Sequence, residues 1–282
     1  MGRKPLTRTL DVHVNGRLAG YYRYRPSAGA SFQYAEDWLG WAYAFPISRR
    51  LPLGPDIRAG DEVDAVFENL LPDGPELRKT IAERTEARSD RPHDLLAAIG
   101  QDCVGAMQFL PHGATASDPF RIDGTPQSDP EIADTLRSLS TTPLGIDPGA
   151  PFRISLAGAQ EKTAYLRKDG AWLRPIGLTP TTHIFKRPMG IVGGGLDMSG
   201  SVENEYFCLL LAREMGLPAT QAEICQFEDQ TALVVERFDR RPRRAGGLVR
   251  VPQEDFLQAM GRFSAEKYQQ HGGPSMAACF AL

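Results

Sequence analysis

Cysteine is scarce in this sequence: four in 282 residues, Cys103, Cys208, Cys225 and Cys279, with no C-x-x-C pair. A chain of this length needs no disulfide staples to hold a core, so the four read as reduced thiols. Long apolar runs are lacking too. Pro5 to Thr9, after Gly2-Arg3-Lys4, is not the apolar stretch of a secretion signal, and nothing approaches the ~18 apolar residues of a membrane-spanning helix. The expectation is a cytoplasmic protein. Neither sign of charge dominates. Thirty-two basic and 35 acidic residues leave a net charge of −3, which argues against non-specific binding of the whole chain to nucleic acid or to a membrane surface. The five histidines have no metal-ligand spacing with acids or cysteines, and no nucleophile-elbow sequence occurs. Metalloenzyme and hydrolase chemistries therefore find no support, and no metal-ligating residue is assigned.

Glycine and proline are plentiful, at 28 and 22, beside 41% hydrophobic residues. This composition describes a globular but turn-rich chain, long enough for one large or two medium domains. Val12-His13-Val14, Asn15-Gly16 and Arg17 to Tyr22 alternate around the dipeptide best suited to a type I′ turn, which predicts an opening β-hairpin. From Phe32 through Trp38 and Trp41 to Ile47 the pattern fits a helical turn or two, with an extended piece following at Leu51-Pro52-Leu53. Helices are predicted over Val63 to Leu71, Pro75 to Thr85 and His93 to Ile99, the last stopped by Gly100. Gly, Pro, Ser, Thr and Asp dominate from Pro111 to Gly149 around one helix, Pro130 to Leu139, and this stretch reads as a connector.

Strands follow: Phe152 to Leu156, Thr163 to Arg167, Ala171 to Pro175 and Thr182 to Lys186, in a small antiparallel sheet. After the Gly193-Gly194-Gly195 loop, Val202 to Met215 is the strongest helix of the chain, and Ala222 to Phe227 and Thr231 to Val235 are two further strands. The order strand, glycine-containing turn, strand, lysine-bearing strand, helix, strand, strand has a chemical meaning. A nucleotide-binding kinase lobe needs a turn over the phosphates, a lysine to meet them and a helix carboxylate to hold that lysine.

Ser155 to Lys162 occupies the turn, where the small residues Ala157, Gly158 and Ala159 permit close backbone approach to an anion. It matches neither standard glycine-rich phosphate pattern, and on pattern alone a plain β-turn is the favoured reading. Lys186 alternates with apolar neighbours on its strand and is the phosphate-contact candidate, against the plainer reading of a solvated strand-end lysine. Glu203 and Glu205 both begin the long helix. Glu205, with Cys208 and Leu209 on its face, is the preferred partner of Lys186. Glu236-Arg237-Phe238-Asp239-Arg240 follows an apolar strand, the position of a kinase hinge, and Asp239 is the ribose candidate. Residues 237 to 250 hold six arginines and one acid, either a solvated loop or a basic face for an acidic partner.

Longer motifs carry a family resemblance. Phe152 to Thr163, Pro180 to Lys186, Asn204-Glu205-Tyr206, Val235 to Arg240 and Pro252 to Asp255 resemble successive motifs of the HipA family, serine/threonine-kinase toxins of bacterial type II toxin–antitoxin pairs. Val14-Asn15-Gly16, Phe67 to Asp73 and Ile99 to Ala106 resemble the N-terminal domain of the same family. The resemblance implies an α+β fold: a β-rich N-terminal domain over 1–112, a connector over 113–150, and a kinase-like N-lobe with an antiparallel sheet and one long helix over 151–252. The first helices of an incomplete helical C-lobe would occupy 253–282. It also implies ATP with Mg²⁺ as cofactors, phosphorylation of a protein such as glutamyl-tRNA synthetase, and a HipB-like helix-turn-helix antitoxin that binds operator DNA. Lys186 would meet the phosphates, Glu236 and Phe238 would offer hinge backbone groups, Asp239 would hold the ribose, and Ser155 would be autophosphorylated, the added dianion repelling nucleotide phosphates.

Transfer to a hydroxyl further requires an aspartate to orient it and an Asn and Asp for metal. No such set is identified in these 282 residues, so no catalytic residue is assigned. Asp255 and Glu254 are expected to cap a helix from Glu254 to Met260 instead. The sequence thus predicts either a HipA-type kinase inactive through truncation or a non-enzymatic module that engages the antitoxin or a kinase subunit. Met276, Cys279, Phe280 and Leu282 on a terminal helix predict an apolar patch.

Overall fold

The computed structural model describes residues 7–114, 118–146, 154–158 and 160–282. It is a mixed α/β structure in which every strand ladder with a recorded register is antiparallel, and it divides into two units. The first takes the described residues up to 120, 154–158 and 250–282; the second takes 121–146 and 160–249.

In the first unit, β1 (Arg8–Val14) and β2 (Arg17–Arg25) form the opening hairpin. Asn15 and Gly16 both have positive φ, 49° and 81°, as a type I′ turn requires. A further strand, β3 (Gly29–Tyr34), takes the start of the aromatic stretch whose pattern fits a helical turn or two. Its residues Ala30, Phe32 and Tyr34 alternate inward, a short period-2 signal that the helix-like aromatic spacing after it obscured. Then come α1 (Glu36–Leu39), β4 (Arg58–Ala59), α2 (Asp61–Glu68), α3 (Pro75–Arg84), α4 (Pro92–Ile99) and β5 (Met107–Pro111). The sheet order is β4-β3-β2-β1-β5. Phe67 of α2 fills the centre, its ring 4.3 Å from Tyr22, 5.5 Å from Phe109 and 5.7 Å from Phe32.

The second unit opens with β6 (Gly124–Gln127) and α5 (Asp129–Ser138), followed by β7 (Lys162–Lys168), β8 (Ala171–Pro175), β9 (His183–Lys186), β10 (Gly190–Val192), β11 (Leu196–Met198), α6 (Ser201–Glu214), β12 (Ala222–Phe227) and β13 (Gln230–Glu236). Six strands form one sheet in the order β12-β13-β9-β7-β8-β6. Side chains alternate across it. Phe185 and Val234 face α5, packing with Ile132, Ala133, Leu136 and Tyr165, whereas Leu233 and Val235 face α6 and meet Val202. The segment read as a connector thus supplies a strand and a core helix, because α5 has an apolar stripe that the sheet buries.

Two other expectations change. No strand includes Ile154 to Leu156, and Phe152 and Arg153 lie outside the described residues. The neighbours of β7 are β8 and β9, so it forms no hairpin with the stretch before it. The stretch from Arg250 onward belongs with the first unit. There α7 (Phe256–Met260) is capped by Asp255, whose carboxylate accepts from the Gln258 N–H at 2.7 Å. Gln258 Nε2 donates to the Val66 carbonyl on α2 at 2.8 Å, and the buried Arg250 pairs with Asp102 at 3.1 Å. Beyond lies α8 (Met276–Phe280), with Met276 and Phe280 exposed.

Candidate functional site

Lys186 is the last residue of β9, and the ladder decides where its side chain points. It stands opposite Lys162 of β7 and Leu233 of β13, so all three project from one sheet face. That is the face on which α6 packs. Glu205 lies just beyond the first turn of α6, and Lys186 Nζ donates to Glu205 Oε1 at 2.6 Å. Glu203 is exposed. The paired side chains are 23% and 34% accessible, an exposure at which an ion pair adds at most about 1 kcal/mol. Its consequence is positional: the ammonium is held beside the carboxylate with one flank open.

Beyond β13 the chain turns back. The Arg240 N–H donates to the Arg237 carbonyl at 3.2 Å, closing a four-residue turn with Phe238 and Asp239 at its tip. Three side chains of this turn point inward and are buried, while Phe238 is 68% exposed. Arg237 grips Asp239 with both arms of its fork, Nε to Oδ1 at 3.0 Å and Nη2 to Oδ2 at 2.8 Å. Arg237 Nη1 donates to Thr181 Oγ1 at 2.8 Å, and Arg240 Nη1 to Asp239 Oδ2 at 2.8 Å. The Glu236 N–H donates to the Gln221 carbonyl at 2.8 Å, and the Glu236 carbonyl accepts from Thr220 Oγ1 at 2.5 Å. Among the described residues the N–H and C=O of Phe238 make no hydrogen bond.

This geometry bears on two sequence readings. Asp239, expected to face a ribose, is 3% exposed and its carboxylate is committed to two guanidinium groups. The arginine-rich stretch is no continuous basic face, since Arg237, Arg240 and Arg250 are buried against carboxylates and Arg243 is half-buried, leaving Arg241 and Arg244 exposed. Arg237 and Thr181 are the residues that sequence reasoning missed. A buried arginine has no signature of its own, and only its alternation with the exposed Phe238 hinted at an inward direction.

Ser155 is fully buried in the first unit. Its Oγ donates to the Leu70 carbonyl at 2.6 Å and its N–H to the Asp102 carbonyl at 3.0 Å. Ala157 and Gly158 follow, half-buried, with Gly158 at φ +98°; Ala159 lies outside the described residues. On the sheet face opposite Lys186, His183 lines a cavity of about 200 Å³ with Arg167, Glu223 and Glu236. Burial, reinforced by the Arg167 charge, pushes the His183 pKa down to about 4, so it is a neutral imidazole at pH 7.

These elements define a class of protein that two family models describe: residues 10–110 match the HipA N-terminal domain, and residues 154–282 match the HipA-like C-terminal domain. Among curated proteins the chain is 32% identical to the kinase homologue Y4mE of Sinorhizobium fredii, over 98% of this chain and 64% of that one. It is 28% identical to the serine/threonine-protein kinase toxin HipA of Shewanella oneidensis, over 95% of this chain and 58% of that one. A solved complex of the Shewanella oneidensis MR-1 HipA with HipB and operator DNA superposes with a TM-score of 0.72 at 26% identity, covering 95% of this chain and 60% of that one. The chain belongs to the HipA kinase family. It spans about three fifths of the length of these relatives.

Proposed function

We propose that these residues form the nucleotide-binding part of a HipA-type serine/threonine-kinase toxin, with ATP and Mg²⁺ as its cofactors. The observation that carries this reading is the Lys186–Glu205 pair standing on the sheet face beside the turn after β13. Glu236, where that turn begins, is paired with His183, three residues along β9 from Lys186. Three strand residues span about 10 Å, the order of a nucleotide's own length. Phe238 offers a main-chain donor and acceptor at one end for an adenine edge, and Lys186 a cation at the other for phosphate. Glu236 contributes by anchoring the turn. Ser155 is the modification candidate. Its buried hydroxyl means that phosphorylation requires the 154–158 segment to open first.

Titration calorimetry with ATP and Mg²⁺ tests this reading. The wild-type chain is expected to bind, and Lys186→Ala, which removes a charge-assisted contact worth about 1.5–3 kcal/mol, to bind at least tenfold more weakly. Unchanged affinity in the folded variant would contradict it.

These residues offer no identified aspartate base or metal-binding Asn and Asp, so we propose that they do not transfer phosphate by themselves. Incubation with radiolabelled ATP, Mg²⁺ and glutamyl-tRNA synthetase, the substrate class that the family resemblance implies, should leave both proteins unlabelled. Label on the synthetase or on Ser155 would overturn this. The solved HipA–HipB–operator complex supports a second role, engagement of a HipB-like antitoxin and, through it, DNA. Absence of association with the cognate antitoxin at micromolar concentration would count against that role.

A further inference from the structure

Two arginines and an aspartate buried within four residues are an expensive arrangement. Each ion withdrawn from water costs several kcal/mol, and replacement by apolar side chains of similar volume is often neutral or stabilising. Stability alone therefore does not explain Arg237, Asp239 and Arg240, whose side chains are 1%, 5% and 2% accessible. Their geometry offers another account. The contacts of Arg237 join two segments: it meets Asp239 within the turn, Thr181 in the β8–β9 connection and, through its own N–H, the Thr182 carbonyl at 2.8 Å. Thr182 immediately precedes β9, the strand that ends in Lys186. The guanidinium thus locks the turn that carries Phe238 to the strand that carries the lysine. A bidentate fork fixes angle as well as distance, which a point charge would not.

We propose that Arg237, Asp239 and Thr181 are positioning residues for the nucleotide, holding the Phe238 peptide at a fixed height and orientation relative to Lys186. This rests on the nucleotide-binding reading above and reassigns Asp239 from ribose contact to clamp. None of the three touches the ligand. They act through the Phe238 main chain, which cannot be pre-organised by its own exposed side chain. Binding of the adenosine end therefore depends on the clamp, whereas binding of phosphate at Lys186 does not.

That asymmetry gives the test, made on the full chain by calorimetry with three probes: ATP, adenosine and tripolyphosphate. Arg237→Lys keeps the charge and loses the fork. Thr181→Val is close in shape and removes the hydroxyl that Arg237 Nη1 meets, so it keeps the question open to measurement if the arginine variant fails to fold. For Arg237→Lys, which loses the bidentate fork, the adenosine and ATP dissociation constants are expected to rise about tenfold, and for Thr181→Val, which leaves the fork to Asp239 in place and acts only through the position of the turn, about threefold. Tripolyphosphate affinity should stay within about twofold in both, while Lys186→Ala should show the reverse pattern. A folded Arg237→Lys or Thr181→Val with wild-type adenosine affinity would overturn the clamp. An equal loss for adenosine and tripolyphosphate would reduce it to a general structural role and also overturn it. Failure of the wild-type chain to bind any probe would instead remove the nucleotide reading on which the clamp rests.

Discussion

At the scale of single residues, His93 shows how burial decides a protonation state. It is 3% exposed, its ring centroid 5.1 Å from Tyr22, and its Nδ1 lies 3.6 Å from the Asp94 carboxylate, too far for a hydrogen bond. Burial first and the Arg8 charge second push its pKa down to about 4 from 6.5, with Asp94 opposing them. Because the folded pKa is the lower one, the unfolded chain binds more protons between these values. Stability is therefore full above pH 6.5 and is lost as pH falls toward 4. The melting temperature should drop over that window, and His93→Phe should flatten part of the drop; identical pH profiles for the two proteins would count against this. Gly16 is a second case. Its φ of +81° suits glycine, and an added Cβ would collide with the Pro119 ring, so Gly16→Ala should lower the melting temperature by several degrees. The NG dipeptide made this turn legible in the sequence. His93 was not legible, since its state depends on rings and charges brought from β2 and β1.

At the scale of elements, α5 and α6 were both predicted as helices, yet their surroundings differ in ways that periodicity did not show. The α5 stripe of Ile132, Ala133, Leu136 and Leu139 is 0–2% exposed against the second sheet. Leu136→Ala should therefore cost about 2–5 kcal/mol in urea denaturation, whereas a solvated connector would lose less than about 0.5 kcal/mol. Composition misled here, because Gly, Pro and Ser flank a helix whose own apolar spacing was the better guide. In α6 the only buried residue is Val202, and Phe207, Leu211 and Met215, four residues apart along one face, are 62%, 46% and 69% exposed. The choice of Glu205 over Glu203 rested on helix spacing, and the tertiary contact that distinguishes them is the reach of Lys186 from β9.

At the scale of the whole molecule, the exposed stripe of α6 and the exposed Met276 and Phe280 of α8 leave large apolar side chains in water. Such surfaces drive association. The isolated chain should self-associate with rising concentration in sedimentation velocity, and Phe207→Ser with Met215→Ser should reduce this. A single monomeric species for the unaltered chain at tens of micromolar would contradict the expectation.

Local chemistry determined what the sequence could say alone: the hairpin at Asn15-Gly16, the helices opened by Pro75 and stopped by Gly100, the alternating strand that ends in Lys186, and the long motifs that mark the family. These depend on neighbours within a few residues, where backbone preference and side-chain period act directly. Only the tertiary structure decided which charges are paired and which backbone segments are buried. Ser155 lies in the first unit because Leu70 and Asp102, distant in sequence, supply its hydrogen-bond partners. Arg237 is a clamp because Thr181, 56 residues earlier, stands beside it. A charged side chain reads as a solvated one until the fold removes the water around it, and that removal is a property of packing that no local pattern records.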